Sequence, residues 1–278
     1  MIHIAEMNFQ PSNMWPFGST ERLIVQQMHE HPVVYSYQSL GELSFELKLR
    51  KNIIVSARAM NQGYAQFQPF SHSRCNPEYW YLTNAGGFQL KPGVRPSDAI
   101  QDIYINSSLY AFECATAQVI IYYHAVLNSL GEYVFNRVFK DLYLYSWHAD
   151  PELGIHPLNT SYFIPGDVVY FNNPEFHPET PWWRGENAVV LEDGAYFAHG
   201  VGIGTAEQMI QALNKARRPG SKQSAYLTNL VMRPSFKHLA KLSMLPRSYM
   251  AYKIQPVVIH HNESSISGNR YLVYCHYR

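Results

Sequence analysis

The chain has 278 residues, a formal net charge of +1, and 46% hydrophobic against 15% charged residues. Such a chain buries a sizeable core and is globular, not disordered. A charge so near neutrality gives no electrostatic hold on nucleic acid or an anionic membrane, and neither is expected as a partner. Cys75, Cys114 and Cys275 are the only cysteines. An odd, small number fits free thiols in a reducing compartment and not a disulfide framework. The first residues lack the basic and apolar regions of a signal peptide. No run reaches the roughly 18 apolar residues that a membrane span needs.

In chain order, residues 1–20 read as an irregular arm, with Pro11, Pro16 and Gly18. A short helix over 21–30 ends before Pro32, and Val33-Val34-Tyr35 is extended. Ser39 and Glu42 form a capping-box pattern ahead of a helix from Leu40 to about Met60. Its apolar positions 43, 47, 54 and 57, with charges at 42, 46, 48, 50 and 51, predict an amphipathic surface helix. Residues 78–83 and 87–91 pair as a hairpin around Asn84-Ala-Gly86. Ser97 caps a short helix over 98–105.

The central helix runs from about Phe112 to Ser129 and closes at Gly131. It has almost no polar face, which predicts burial. A second helix, 131–140, leads to a strand-like alternation, Leu142-Tyr-Leu-Tyr-Ser-Trp147. A strand follows over 168–171 and a Pro-rich loop over 172–185. Glu186–Leu191 and Ala195–His199 form a hairpin, with Asp193-Gly194 as its turn signal. Thr205 caps a helix reaching about Arg217, and 235–245 form a short basic helix. The chain divides at about 245, with residues 246–278 as an extension. Strand-like stretches at Tyr252–His260 and Arg270–Tyr277 there flank a loop at 262–269.

Cys114 opens the buried central helix beside Glu113. The free backbone N–H groups and aligned dipoles of a first turn favour a thiolate. Taken alone, a cysteine in such a place is more often a small core residue; what singles this one out is company. With a two-residue turn at Asp193-Gly194, Ala188 opposes His199. Glu186 then becomes a diagonal neighbour of His199 on one face. A three-residue loop with a bulge at Gly194 puts the two on opposite faces. The first register yields a nucleophile, Cys114, a base, His199, and an orienting carboxylate, Glu186. Glu113 stands by as a second carboxylate. Cys75 and Cys275 have no comparable setting and read as inert. The pairs His29/His31 and His260/His261 lack further ligands, so neither metal nor cofactor is expected.

The stretches Phe45-Glu-Leu-Lys-Leu-Arg50, Tyr110-Ala-Phe-Glu-Cys-Ala-Thr-Ala117, Trp183-Arg-Gly-Glu-Asn187, Tyr196-Phe-Ala-His-Gly200 and Gln223-Ser-Ala-Tyr-Leu227 resemble the protein-glutamine gamma-glutamyltransferases of spore-forming bacteria. The resemblance runs from about residue 25 to 240. It implies an α+β fold with an NlpC/P60-like, papain-type core, a central buried helix packed on an antiparallel sheet, in a single domain over 1–245. It also implies a calcium-independent acyltransferase that joins glutamine and lysine side chains of spore coat proteins through a cysteine thioester. The cytoplasm of the sporulating cell and the spore coat are its expected locations. By the resemblance Cys114 is the nucleophile, His199 its base and Glu186 the supporting carboxylate, with Glu113 assisting. Trp183, Trp147 and Phe67 are candidate walls of a narrow substrate channel. The alternative is a cysteine amidase or peptidase of NlpC/P60 type with water as acceptor.

Overall fold

A computed structural model of the chain describes residues 1–9, 14–244, 258–261 and 264–267. The chain divides into a unit of Met1–Met244 and a unit of Leu245–Arg278. Cys275, residues 252–257 of the expected strand Tyr252–His260 and the expected strand Arg270–Tyr277 lie outside the described residues.

The first unit opens with β1 (Ile2–Ile4) and β2 (Met7–Asn8). Helix α1 (Thr20–Glu30) starts where Ser19 Oγ accepts from the Arg22 N–H at 3.2 Å. Strand β3 (Tyr35–Tyr37) runs parallel to β1. Helix α2 (Leu40–Gln62) is capped by Ser39, whose Oγ accepts from the Glu42 N–H. The Glu42 carboxylate accepts from Gln38 N, one residue short of a closed capping box. Next come β4 (Gln66–Phe67) and the hairpin of β5 (Trp80–Leu82) with β6 (Phe88–Leu90). Helix α3 (Pro96–Ile105) begins two residues earlier than expected, because Pro96 takes the first helical place and Arg95, not Ser97, precedes it.

Strand β7 (Ala111–Phe112) pairs in parallel with β4, setting Phe67 beside Phe112. The chain then enters α4 (Cys114–Leu130), which Gly131 ends at φ +81°. Helix α5 (Glu132–Val138) and β8 (Tyr143–Leu144) follow. Then come β9 (His156–Asn159), β10 (Val168–Asn172), β11 (Gly185–Val190), β12 (Tyr196–Ala198) and β13 (Gly202–Gly204). Thr205 and Gln208 form a full capping box on α6 (Ala206–Lys215). The first unit closes with β14 (Tyr226–Arg233) and α7 (Phe236–Ser243). In the second unit β15 (Val258–His261), at the end of the expected strand, pairs antiparallel with β16 (Ser264–Ser267), which lies in the stretch expected as a loop.

The main sheet is antiparallel, in the order β13-β12-β11-β10-β14-β9. Helix α4 packs between α2 and β11, and nearly all of its side chains are buried. That is what an all-round apolar helix requires, and it makes α4 a rigid mount. Among the described residues no helix is long and apolar enough to cross a membrane.

Helix α2 is not a surface helix. Glu46 and Arg50, expected in solvent, are buried. Arg50 Nε donates to Glu46 Oε1 and another of its nitrogens to Asp167 Oδ1, both at 2.8 Å. Arg233 adds two bonds to Asp167, at 2.7 and 2.6 Å. Burial alone would raise the Asp167 carboxyl; the two guanidinium groups hold it below the usual range instead. Removing one partner of such a network strands a buried charge. Arg50→Ala is therefore expected to lower stability by about 3–5 kcal/mol in urea denaturation. Lys51→Ala, which removes an exposed pair with Glu21, should cost less than about 1 kcal/mol. Equal midpoints for the two variants would contradict the assignment.

Candidate active site

Glu113 and Cys114 sit at the join of β7 and α4. Glu113 is the N-cap: its Oε2 accepts from Ala115 N at 2.9 Å and Thr116 N at 3.4 Å. Its Oε1 accepts from the Cys114 thiol at 3.1 Å. One carboxylate thus starts the helix and touches the sulfur. Its place as an acid at a helix N-terminus and its place beside the thiol are one arrangement.

Strand β11 reaches the same sulfur. Asn187 Nδ2 donates to Cys114 Sγ at 3.3 Å. Gln118, one turn along α4, donates to the Asn187 carbonyl at 3.0 Å. Glu186 is fully buried. Its Oε1 accepts from Gly200 N at 3.2 Å, while Oε2 has no hydrogen-bond partner.

The hairpin register differs from the expected one. Ala188 opposes Ala198, Val189 opposes Phe197, and the Leu191 N–H donates to the Ala195 carbonyl at 2.8 Å. The connection is the three-residue loop Glu192-Asp193-Gly194, with Gly194 at φ +77°. A left-handed glycine ending a three-residue loop is the bulged alternative to a two-residue turn. Arg58 holds this loop through Glu192 and Asp193. Alternation along β11 explains why Asn187 meets the sulfur. Val189 and Phe197 face the core around α4, Ala188 and Ala198 the cluster beneath α6. Asn187 shares the face of Val189 by alternation. Glu186 falls across from Gly200 and not diagonal to His199 on one face.

His199 lies just beyond β12. Its ring stacks on Phe112, with centroids 4.6 Å apart and planes at 18°. The backbone of Gln66 and Phe112 engages the ring, and Nε2 is buried without a partner. The expected hydrogen-bond chain from Cys114 through His199 to Glu186 is therefore not formed. The contact to the sulfur comes from Glu113 and Asn187.

The site is electrostatically lopsided. Burial, then the Glu186 and Glu113 carboxylates, push the Cys114 thiol well above its usual value; a backbone hydrogen bond from Asn187 acts the other way. Burial raises Glu186 to about 8, against the Gly200 N–H. Burial lowers His199 to about 4. At neutral pH Glu186 is protonated and His199 is neutral. Cys75 is half-buried, and burial raises it to about 11. Its thiol stays protonated, away from Cys114.

A cleft of about 570 Å³ opens on Cys114. Trp147, the sequence-predicted wall, lines it together with Glu113, Asn187, Tyr170 and Trp182. Phe67 and Trp183 are not among its walls. Their rings meet at a tilt of 31°, with centroids 5.1 Å apart, and a Cβ on Gly200 would stand 3.2 Å from each. They back the His199–Gly200 corner. Tyr170, Trp182 and Asn187 were not singled out by the sequence. Trp182 and Asn187 adjoin the predicted Trp183 and Glu186; alternation from the core-facing Val189 is the signal that marks Asn187.

The Glu186 shift has a measurable sign. Its carboxyl moves from 4.5 to about 8 on folding, so the folded chain holds the extra proton in that window. Stability falls as pH rises through it. His199 works between about 4 and 6.5, where the folded chain binds fewer protons and stability rises with pH. Above pH 6.5 the Met1 amino group, lowered by burial, acts the other way, so the Glu186 effect is read as the difference between the variant and the unaltered chain. Glu186→Gln should flatten the fall in Tm between pH 6.5 and 8.5, a contribution on the order of a few kcal/mol. An unchanged slope would refute the buried, protonated carboxyl.

A family model described as protein-glutamine gamma-glutamyltransferase matches residues 1–243. The protein-glutamine gamma-glutamyltransferase of Halalkalibacterium halodurans is 53% identical over 274 residues, 99% of this chain and 96% of that protein. That of Bacillus mycoides is 45% identical over 218 residues, 78% of this chain and 79% of its own. The solved structure of a transglutaminase from Geobacillus stearothermophilus, without its C-terminal extension, superposes with a TM-score of 0.72 at 46% identity. It spans 75% of this chain and 100% of that one. Identity at this level, over a mixed helix and sheet fold with a carboxylate-bound thiol on its buried helix, means that the chain belongs to the bacterial protein-glutamine gamma-glutamyltransferases, acyltransferases that crosslink proteins.

Proposed function

We propose that Cys114 is the nucleophile of this transglutaminase and that the reaction runs through a thioester on its sulfur. The observation that carries the proposal is the hydrogen bond from the thiol to Glu113 at the floor of an open cleft. Glu113 takes the thiol proton as sulfur attacks the γ-carboxamide carbon of a protein glutamine. The C–N bond breaks, and the nitrogen leaves as ammonia after receiving a proton. That proton comes back from Glu113; Glu186, protonated and buried outside the cleft walls, is the second carboxyl that acts on the sulfur. A lysine ε-amine then attacks the thioester and loses its proton to a carboxylate. An isopeptide bond forms and the thiol is restored. His199, stacked on Phe112, supports the acid–base work as a neutral imidazole. Trp147, with Trp182 and Tyr170, walls the cleft against water, which competes for the thioester. Phe67 and Trp183 stiffen the corner that carries His199.

The NlpC/P60-like core belongs to the same proposal: a nucleophile-bearing buried helix packed on an antiparallel sheet is what such a core requires. So do calcium independence, spore coat proteins as substrates, and action in the sporulating cell and the spore coat. These rest on the family resemblance of the sequence. The test of the chemistry is intact-mass trapping with a glutamine peptide and no amine. The expected adduct is peptide minus ammonia on Cys114, discharged by hydroxylamine. Crosslinking that proceeds with chelator present is expected as well. Turnover without any trappable adduct would overturn the thioester route.

A further inference from the structure

Every charged neighbour of Cys114 opposes its ionisation. Glu113 from the cap of α4 and Glu186 from β11 are both acidic. Tyr170 from β10 is held neutral by burial, and His199, behind Phe112, is neutral too. Arg184 lines the cleft, but no hydrogen bond joins it to the sulfur among the described residues. The thiol is almost wholly buried. Only the Asn187 backbone bond acts the other way, so such a site keeps its thiol protonated unless a further group donates to the sulfur.

The geometry points to Asn187 as that donor: its carboxamide Nδ2, 3.3 Å from Cys114 Sγ, stabilises the thiolate during attack and when the thioester collapses. This goes beyond the roles given above to the carboxylates and rests on Cys114 being the nucleophile. Three features make Asn187 suited to it. Its carbonyl is pinned by Gln118 on α4, so its backbone is fixed relative to the sulfur. Its side chain is buried but borders the cleft, so the donor meets the sulfur where substrate arrives. An amide carries no charge, so it favours the anion without pairing permanently with Glu113 or Glu186. A lysine there would be neutralised by the two carboxylates.

The test reads the thiol itself and needs no substrate. The full chain and its Asn187→Ala and Asn187→Asp variants are alkylated with iodoacetamide from pH 6 to 10, and modification at Cys114 is resolved by peptide mass. For Asn187→Ala, the midpoint should move to higher pH and the rate near neutrality fall roughly ten- to a hundredfold, the loss of one hydrogen bond to a charged group. Asn187→Asp is closest in shape and keeps the fold should alanine perturb it. It should move the midpoint further, since it adds a negative charge beside Glu113. Profiles that coincide with that of the unaltered chain in both variants overturn the proposal. Because alkylation does not depend on crosslinking, a normal shift with intact crosslinking in Cys114→Ala would refute the nucleophile assignment and leave the hydrogen bond standing.

Discussion

Cys114→Ala is expected to reduce amine incorporation into a glutamine-bearing protein to the background of the uncatalysed reaction, while the Tm stays within a few degrees. The two halves of this expectation have separate causes. The activity is lost because no other thiol can substitute among the described residues. Cys75 is the only other one, and its sulfur is held protonated. The fold survives because alanine suits the first position of a helix. The Glu113 cap, through Oε2, does not depend on the sulfur. Small apolar volume is all that the core loses at this site. Cys114→Ser sharpens the test. It keeps a hydrogen-bonding atom between Glu113 and Asn187, but an alcohol is a far poorer nucleophile without strong base activation. It should be as inactive as alanine and at least as stable. Retention of more than a small fraction of wild-type crosslinking by either variant would remove Cys114 from the chemistry.

What the sequence could disclose follows the range of the interactions involved. The start of α4 was legible because its cause is local: a carboxylate cap, then an apolar run, then Gly131. The cap on α6 and the hairpin of β5 and β6 are legible for the same reason. Arg50 and Glu46 were misplaced in solvent because their partner, Asp167, lies far along the chain. A buried ion network reads as a charged helix face until its counterion is placed. Strand β14 was missed altogether. Its burial is mixed and does not alternate cleanly, so period-2 patterning is weak there. The turn at Gly194 was a choice between two allowed loops of the same sequence. One residue of register decided whether Glu186 stood diagonal to His199 on one face. The candidate carboxylates were named from the sequence, yet their division of labour depends on that single step.

The second large effect expected is from the two carboxylates together. Glu113→Gln keeps an oxygen to cap α4 but can no longer accept the thiol proton. Glu186→Gln keeps an acceptor for Gly200 N and imitates the protonated acid, yet cannot give the proton away. Proton transfer by a placed group is worth roughly 10²–10⁴ in rate. Each single substitution should cost less than that, roughly tenfold to a hundredfold, because the other carboxylate still lies near the sulfur. Their combination should cost more than about a thousandfold in kcat/KM, and the two effects should not be additive, as for groups that share one task. His199→Ala is the control that decides between acid–base schemes. Neutral at working pH and unpaired at Nε2, the imidazole should matter less than the carboxylate pair. If His199→Ala is as inactive as Cys114→Ala while the double Glu→Gln variant keeps most of its activity, the proton goes to the imidazole after all. The Cys114–Glu113 contact would then be a helix cap that happens to touch a thiol.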